Sequence, residues 1–268
     1  MPTKTARRPR PMALITGASA GIGRELAREF AASGFDLVVV ARRRVRLASL
    51  KREIETAQEV RVRVLEADLY DPQAAARLQR GLARTPIEVL VNNAGTLESG
   101  AFADMDPARV SQMLQLNVMA LVAMTRAFLP GMLRRRRGRI VNLASIASFA
   151  PVPWMAVYAA SKSFVLSFSE SLAEELRGTG VTVTAVCPGL TNSEMADAAL
   201  ERAPGVAPYR ALMFAEAADV ARAAVAGALE GKALVVPGAA NQLYGAMMKA
   251  APRAARRRLT ALFGRALR

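Results

Sequence analysis

Histidine is absent from the 268 residues of this sequence, and its absence excludes several kinds of catalytic and metal site. Ser-His-Asp and Cys-His triads need an imidazole as the base, and many metal sites use histidine as a ligand. We therefore expect no metal centre. Proton transfer in this chain must depend on Tyr, Lys, Asp, Glu or Cys instead.

Cysteine and long apolar runs are also scarce. Cys187 is the only cysteine, so the chain cannot form an internal disulfide, which fits a reducing compartment. No uninterrupted apolar run reaches the ~18 residues of a membrane span. The basic N-terminus lacks the apolar middle of a signal peptide. These features predict a cytoplasmic protein.

Acidic residues are missing from both ends of the chain. The net charge is +15, but residues 1–12 contain four basic residues and residues 249–268 contain seven, and neither segment contains an acid. The body between them carries about +4, an ordinary surface value. Because the basic ends lack interleaved aromatic residues, we expect no nucleic-acid partner.

The last segment, residues 253–268, combines arginines with an apolar face at helical spacing. This composition is typical of a helix that lies on an anionic membrane surface. Two other interpretations stay open, a helix that packs against a partner subunit and a disordered basic end. The apolar face consists of Leu259, Leu262, Phe263, Ala266 and Leu267.

Short apolar segments alternate with amphipathic ones along the rest of the chain. Such alternation predicts an α/β fold, a single doubly wound Rossmann-type parallel sheet with helices on both faces. We divide the chain into a basic N-terminal arm (1–11), a Rossmann-type domain (12–240) and a basic amphipathic tail (241–268). Strands are expected at 12–16, 36–41, 61–67, 87–91, 139–144, 181–187 and 233–237.

A glycine-rich turn follows the first strand. The sequence TGASAGIG occupies residues 16–23 and opens an amphipathic helix that runs to about Ser33. Gly17, Gly21 and Gly23 would let the backbone approach a pyrophosphate, and the helix N-terminus would supply N–H groups and a positive dipole end. The arrangement predicts a dinucleotide-binding site.

The end of the second strand decides which dinucleotide is preferred. An acidic residue there would accept hydrogen bonds from the adenosine ribose, but this chain has Ala41 followed by Arg42, Arg43 and Arg44. A guanidinium pairs well with a 2′-phosphate, so we take Arg42 as its partner and predict NADP(H). The alternative is that these arginines simply begin a solvated helix.

Polar residues follow further strands of the predicted sheet. Asp68 and the turn 92–95 lie at the carboxyl edge, where ligands bind, although Asp68 could equally be an ordinary helix-start residue. Asn117 lies among apolar residues of a predicted helix over 106–134. A buried amide needs partners, and a structural tie to the backbone is the alternative to a role in the site.

Tyr158 and Lys162 lie four residues apart on a predicted helix, and therefore on one face. A phenol has an unperturbed pKa of about 10, and a fixed ammonium beside it lowers that pKa toward the working range. The two residues form a candidate proton-transfer pair. Ser145, directly after a strand, is the candidate hydroxyl beside them, and Ser148 is its competitor.

The segment 194–214 predicts a long irregular loop, and loops of this length often act as lids. Apolar residues before and within it favour a hydrophobic or lipid-like ketone as the substrate. The alternative is that several of them only pack beneath the lid. They are Phe149, Val152, Trp154, Met155, Met195, Leu200, Met213 and Phe214.

Taken in order, TGASAGIG, NNAG, Asn117, Ser145, YAASK and a Pro-Gly pair resemble the motifs of classical short-chain dehydrogenases/reductases. The resemblance spans about 12–240 and implies that Asn117, Ser145, Tyr158 and Lys162 are catalytic. The cofactor residues that it implies are Gly17, Ser19, Gly21, Ile22, Gly23, Arg42, Asp68, Asn93, Ala94, Gly95, Tyr158, Lys162, Pro188, Gly189, Thr191 and Ser193.

Two positions depart from the family pattern. Ser193 replaces the usual threonine and keeps the hydroxyl, and Ala20 stands where many NADP-using members carry a basic residue. The expectation of NADP(H) therefore depends on Arg42 and on the missing acid at Ala41.

The resemblance implies an oxidoreductase that transfers a hydride between NADP(H) and a carbonyl/alcohol substrate. Tyr158 would exchange the proton, Lys162 would lower its pKa and hold the nicotinamide ribose, Ser145 would steady the substrate oxygen, and Asn117 would hold a water. A homo-oligomer through helices 106–134 and 154–178 is also implied. The competing function is an NADP-binding scaffold or sensor without turnover.

Overall fold

The structure is a computed structural model that describes residues 10–202 and 214–265. Seven parallel strands form one sheet in the order β3-β2-β1-β4-β5-β6-β7, which confirms the expected doubly wound fold. The strands are β1 (Met12–Thr16), β2 (Asp36–Ala41), β3 (Val62–Glu66), β4 (Ile87–Asn92), β5 (Gly138–Leu143), β6 (Val181–Val186) and β7 (Leu234–Val235).

Helices cover both faces of the sheet. Short 3₁₀ turns lie at Phe102–Asp104 and Ile146–Phe149, and a π-helical segment, Gln115–Ala120, joins the fourth helix to the fifth. The α-helices of the described ranges are α1 (Gly21–Ala32), α2 (Arg44–Ala57), α3 (Ala74–Gly81), α4 (Pro107–Leu114), α5 (Leu121–Arg135), α6 (Ala156–Glu175), α7 (Glu194–Arg202), α8 (Ala217–Leu229), α9 (Ala239–Ala250) and α10 (Arg253–Arg265).

Two apolar layers enclose the sheet because successive strand residues point to opposite faces. Ile15 of β1 packs in the layer of α1, α2 and α8, whereas its neighbour Leu14 packs in the layer of α3, α5 and α6. Strands buried on both faces read as continuous apolar runs, as DLVVVA does in β2. Because all seven strands are parallel, their carboxyl ends meet at one edge of the sheet.

The segment 194–214 is only partly described, and its described part is not a loop. Residues Glu194–Arg202 form α7, with two acids in the first turn, where they suit the positive end of the helix dipole. The expectation of an irregular segment is therefore wrong for these residues. Residues 203–213 lie outside the described part of the chain.

The C-terminal region also differs from expectation. The predicted strand 233–237 shortens to two residues, and two helices, α9 and α10, follow it. The boundary predicted at residue 240 falls within α9, whose Met248 is buried in a core cluster with Phe149. The first half of the predicted tail thus packs against the Rossmann-type domain.

One continuous helical stretch, Pro107–Arg135, is long and apolar enough to cross a membrane by length and composition. Its residues Met124, Phe128 and Met132 are buried in the core layer on one face of the sheet. Burial of this side explains the apolar composition as that of a core helix.

Close packing of the glycine turn onto β4 makes a stability prediction for Gly23. A Cβ at this position would overlap the Asn93 Nδ2 atom and the Gly17 carbonyl group. We expect Gly23→Ala to lower the free energy of unfolding by about 1–3 kcal/mol, the usual cost of overpacking, as measured by urea denaturation.

Gly81 is the matched control. It ends α3, and a Cβ there would meet nothing within 4 Å. Because it needs no special backbone conformation, Gly81→Ala should leave stability unchanged or raise it by up to ~1 kcal/mol. Equal stability of Gly23→Ala and wild type would contradict the packing described for the turn.

Candidate active site

The glycine turn between β1 and α1 presents its backbone at the carboxyl edge of the sheet. Gly17 and Gly21 have φ angles of 67° and 53°, in the left-handed region that favours glycine. The N-cap of α1, Ala20, makes no side-chain capping bond, which leaves the first N–H groups of the helix without a side-chain cap. These groups fit a pyrophosphate at the helix N-terminus.

Thr16 ties the glycine turn to the turn after β4. Its buried hydroxyl accepts hydrogen bonds from the backbone N–H groups of Asn93 (3.0 Å) and Ala94 (3.1 Å) and donates to the Val91 carbonyl (3.1 Å). The Asn93 side-chain amide donates to the Thr16 carbonyl at 2.9 Å. The two turns are therefore held as one unit, and sequence reasoning missed Thr16 because it reads as a strand residue.

Two arginines after β2 have different surroundings. The Arg42 guanidinium lies 5.1 Å from the centre of the Tyr70 ring, a cation–π contact. Arg43 instead reaches the glycine turn, where Nη2 and Nε donate to the Ser19 hydroxyl at 3.0 and 3.2 Å. The sequence singled out Arg42 alone, yet Arg43 is the arginine that touches the turn.

The Tyr158–Lys162 pair lies on α6, and both side chains are buried. The Lys162 Nζ lies 5.8 Å from the centre of the Tyr158 ring and donates a hydrogen bond to the Leu143 carbonyl at 2.8 Å. Helical spacing thus brings the two residues together as expected, with the ammonium anchored to the end of β5.

The pKa of Tyr158 differs from the sequence-based expectation. Burial raises it above its ordinary value of 10, and a hydrogen bond to Ser145 opposes that rise. Burial also lowers the pKa of Lys162, from 10.5 to about 8. The expected lowering of the Tyr158 pKa is therefore wrong for the cofactor-free protein, because desolvation outweighs the hydrogen bond with Ser145.

The choice between two serines is resolved by their hydrogen bonds. Ser145 lies at the end of β5, contacts the Tyr158 phenol and accepts from the Ala147 N–H at 3.1 Å. The Ser148 hydroxyl is turned away, because it donates to the Lys162 carbonyl at 2.8 Å. Ser145 is thus the hydroxyl that faces the pair.

Asn117 lies in the π-helical segment and is fully buried. Its amide oxygen accepts from the Thr96 N–H, and its Nδ2 donates to the Thr96 carbonyl, each at 2.9 Å, and to Ser161 Oγ at 3.2 Å. A Cβ on Gly95 would lie 3.1 Å from Asn117 Oδ1 and 3.5 Å from Lys162 Nζ, so both groups lie close to Gly95, where a side chain would crowd them. The structural tie weighed as the alternative is present, and π segments often occur at functional sites.

The remaining expected cofactor residues lie along the same edge. Asp68 accepts from the Tyr70 N–H at 3.0 Å, and Ile22 packs partly against the core at the start of α1. In the segment from Pro188 to Ser193, Thr191 is buried and its hydroxyl donates to the Gly189 carbonyl at 3.0 Å.

Asn241 of α9 also borders this segment. A Cβ on Gly189 would lie 2.6 Å from its Nδ2 atom, so the two residues are in close contact. The sequence placed Asn241 in a tail apart from the site, and only the fold brings it there.

The expected substrate-pocket residues separate into two groups. Phe149 and Val152 are buried in the core, which fits the packing alternative, whereas Trp154, Met155, Met195 and Phe214 are accessible. Trp154 has a φ of 61°, an unusual angle for a bulky residue, and its carbonyl accepts from the Gly100 N–H at 2.8 Å. The side chains of Leu200 and Met213 lie outside the described part.

Comparison with known proteins agrees with this geometry. The family model described as short chain dehydrogenase matches residues 11–203. Sulfoacetaldehyde reductase 2 of Chromohalobacter salexigens is 39% identical over 78% of this chain and 84% of its own. The very-long-chain 3-oxoacyl-CoA reductase of Homo sapiens is 33% identical over 69% of this chain, which spans only 60% of that protein.

Solved structures show the same similarity along nearly the whole chain. A short-chain dehydrogenase from Sphingobium yanoikuyae in complex with NADPH superposes with a TM-score of 0.78 at 33% identity, over 94% of this chain and 95% of the other. The bulky-bulky ketone specific alcohol dehydrogenase from Comamonas testosteroni superposes with a TM-score of 0.75 at 31% identity, over 91% of this chain and 96% of the other. The chain therefore belongs to the short-chain dehydrogenase/reductase family and is an oxidoreductase that transfers hydride.

Proposed function

We propose that this protein is an NADP(H)-dependent reductase or dehydrogenase that acts on a hydrophobic carbonyl/alcohol pair. The observation that carries the proposal is the cluster of Ser145, Tyr158 and Lys162 beside a glycine turn that can hold a pyrophosphate. A nicotinamide dinucleotide supplies or accepts the hydride when bound.

Each residue of the cluster has one role in the proton transfer. Tyr158 gives its phenolic proton to the substrate oxygen during reduction and takes it back during oxidation. Ser145 donates a hydrogen bond to the same oxygen and stabilises its developing charge. Lys162, which retains its proton below a pKa of about 8, supplies the positive charge that favours the Tyr158 phenolate.

Asn117 is a positioning residue in this proposal. Its amide fixes the Thr96 backbone and Ser161 next to Lys162, and one lone pair of Oδ1 is free for a water that links Lys162 to solvent.

The preference for NADP(H) depends on the arginines after β2. Arg43 contacts Ser19 of the glycine turn, Arg42 precedes it directly after β2, and Ala41 offers no carboxylate to a ribose hydroxyl. Two guanidinium groups favour the extra phosphate, and the similar Sphingobium structure binds NADPH. We assign the 2′-phosphate to Ser19, Arg42 and Arg43.

Substrate preference follows from this chain's own residues. The two relatives compared above are named for a small aldehyde and for a very-long-chain acyl thioester, so their names do not agree on the size of the substrate. The accessible side chains Trp154, Met155, Met195 and Phe214 are large and apolar, and they favour a hydrophobic ketone.

A homo-oligomer is part of the proposal. Leu114, Met119 and Phe164 are exposed on neighbouring helical segments, and Phe164 stacks on Phe168 at 5.9 Å. Large exposed apolar side chains on adjacent helices mark a face that another subunit would bury.

Peripheral contact with an anionic membrane is a second proposal for the C-terminal helices. The chain has eight basic residues and no acid after Glu230. Leu243, Met247 and Leu259 are exposed on α9 and α10 at 64%, 54% and 49% of their surface, and α10 also carries exposed arginines. This combination suits an interfacial helix.

A sensor without turnover stays the competing function, and Tyr158→Phe separates the two. We expect this variant to lose at least about 10²-fold in kcat while it still binds NADPH, because only the proton donor is removed. The measurement is NADPH and NADH oxidation over a panel of aldehydes and apolar ketones. Unchanged turnover in Tyr158→Phe would contradict the assignment.

The lowered pKa of Lys162 predicts a pH-dependent stability in the cofactor-free protein. Unfolded lysine keeps its proton up to 10.5, whereas folded Lys162 releases it near 8, so the unfolded state binds more protons between these values. Across that window the wild type should gain roughly 3 kcal/mol of unfolding free energy relative to Lys162→Met.

Lys232→Met is the control, because Lys232 is exposed. The difference between wild type and this control should stay flat with pH in urea denaturation. A flat difference for Lys162→Met as well would show that Lys162 is not desolvated as described.

Vesicle sedimentation tests the membrane proposal. Arg257→Glu/Arg258→Glu reverses two exposed charges of α10 and should abolish binding to anionic vesicles, since about 1 kcal/mol per basic residue is lost near the surface. Arg126→Glu/Arg134→Glu makes the same charge change on α5 and should bind as the wild type does. No sedimentation of the wild type with anionic vesicles would refute the proposal.

A further inference from the structure

Glu194 pairs with two arginines from the opposite side of the dinucleotide cleft. It is the first residue of α7, and its Oε2 lies 2.6 Å from Nη1 of Arg43. Its other oxygen, Oε1, accepts from Nη1 of Arg46. These two pairs keep the pKa of the Glu194 carboxyl below its usual range. One carboxylate therefore joins α7 to α2.

The contact lies directly at the glycine turn. A Cβ on Gly21 would be 3.2 Å from the Ser193 Cβ, so the start of α7 rests on the turn. The Ser193 hydroxyl accepts from the Ala196 N–H at 3.2 Å and thereby caps α7. A cleft of about 670 Å³ is bordered by Ser19, Gly21, Arg46, Ser193 and Glu194.

The Arg43 guanidinium is occupied on both sides in this arrangement. Its Nε and Nη2 donate to Ser19, and its Nη1 donates to Glu194. A phosphate dianion that approached Arg43 and Ser19 would meet the Glu194 carboxylate on the same guanidinium. Two anions at that distance repel each other, and the phosphate carries the larger charge.

We propose that Glu194 is a specificity-determining residue that occupies the arginine cluster in place of the 2′-phosphate until NADP(H) binds. This inference rests on the proposed NADP(H) preference and on the assignment of Arg43 to that phosphate. Binding of NADP(H) exchanges the carboxylate for the phosphate on Arg43 and loosens the attachment of the first turn of α7, which then keeps only the pair of Glu194 with Arg46. NADH has no 2′-phosphate and leaves the Glu194 pairs intact.

Two consequences follow from this exchange. Part of the binding energy of the 2′-phosphate is used to break the pair of Glu194 with Arg43. The carboxylate therefore weakens NADPH binding and reduces the preference for NADPH over NADH. Because Met195 follows Glu194 on α7, arrival of the phosphate also changes the attachment of the helix that carries part of the proposed substrate pocket.

Calorimetric titration of Glu194→Gln with NADPH and with NADH tests the exchange. We expect the NADPH Kd to fall by about threefold to tenfold, because the competing ion pairs are exposed and individually weak. The NADH Kd should stay within about twofold of wild type, since NADH does not displace Glu194. Asp197→Asn, an equal charge change on the same helix, should alter neither Kd.

A double-mutant cycle and an exchange measurement complete the test. In an Arg43→Ala/Arg46→Ala background, Glu194→Gln should no longer change the NADPH Kd. NADPH should also raise amide hydrogen exchange at residues 194–198 of the wild type, whereas NADH should not. In Glu194→Gln, exchange there should be high without any cofactor.

Two outcomes would overturn the inference. Weaker NADPH binding by Glu194→Gln would mean that the carboxylate helps to hold the dinucleotide, and an unchanged NADPH Kd would mean that it does not compete. A failure of the proposed NADP(H) preference would look different from a failure of this inference. In that case the wild type would bind NADPH and NADH equally, and Arg42→Ala/Arg43→Ala would change neither Kd.

Discussion

The burial of the Lys162 ammonium beside Tyr158 is the interaction on which the rest of the site depends. A charged amine inside the protein is costly, and here it is tolerated because the Leu143 carbonyl accepts a hydrogen bond from Lys162 Nζ at 2.8 Å. That carbonyl is placed by β5, and α6 places the lysine above it. The fold thus holds a positive charge beside the Tyr158 phenol. This charge can favour the phenolate once a cofactor and a substrate occupy the cleft.

The other polar groups of the site serve to fix this edge of the sheet. Thr16 binds the glycine turn to the turn after β4, and Asn117 binds the next stretch of that loop to α6 through Thr96 and Ser161. The nucleotide side and the proton-transfer side are therefore held together by buried hydrogen bonds. Such bonds are costly to leave unmade, which favours one arrangement of the cleft.

Most of the fold and the positions of the main motifs could be predicted from the sequence. Apolar runs and glycine turns mark the strands of a doubly wound sheet, and the spacing of Tyr158 and Lys162 puts them on one helical face. The direction in which the Tyr158 pKa shifts could not be predicted, because it depends on how much of the phenol is buried. Spacing shows proximity, but it does not show desolvation.

The ion pairs around the cofactor cleft were beyond sequence reasoning for a different reason. Arg43 and Glu194 are 151 positions apart, and no local pattern links them. The sequence predicts Arg42 as the phosphate partner, yet the arginine that reaches Ser19 is Arg43, and adjacent positions in a run of arginines cannot be told apart by pattern. Asn241 likewise enters the site only because α9 folds back onto the segment after β6.

The most direct test of the account is a pH titration of Tyr158 itself. The ultraviolet absorption of phenolate is measured against pH in wild type and in Tyr158→Phe, and the difference between the two reports the ionisation of Tyr158. In the free protein the pKa of Tyr158 should lie above its ordinary value of 10. With NADP⁺ bound it should fall, and the fall should be lost in Lys162→Met. A Tyr158 pKa that stays above 10 with NADP⁺ bound, or that falls equally without Lys162, would contradict the account.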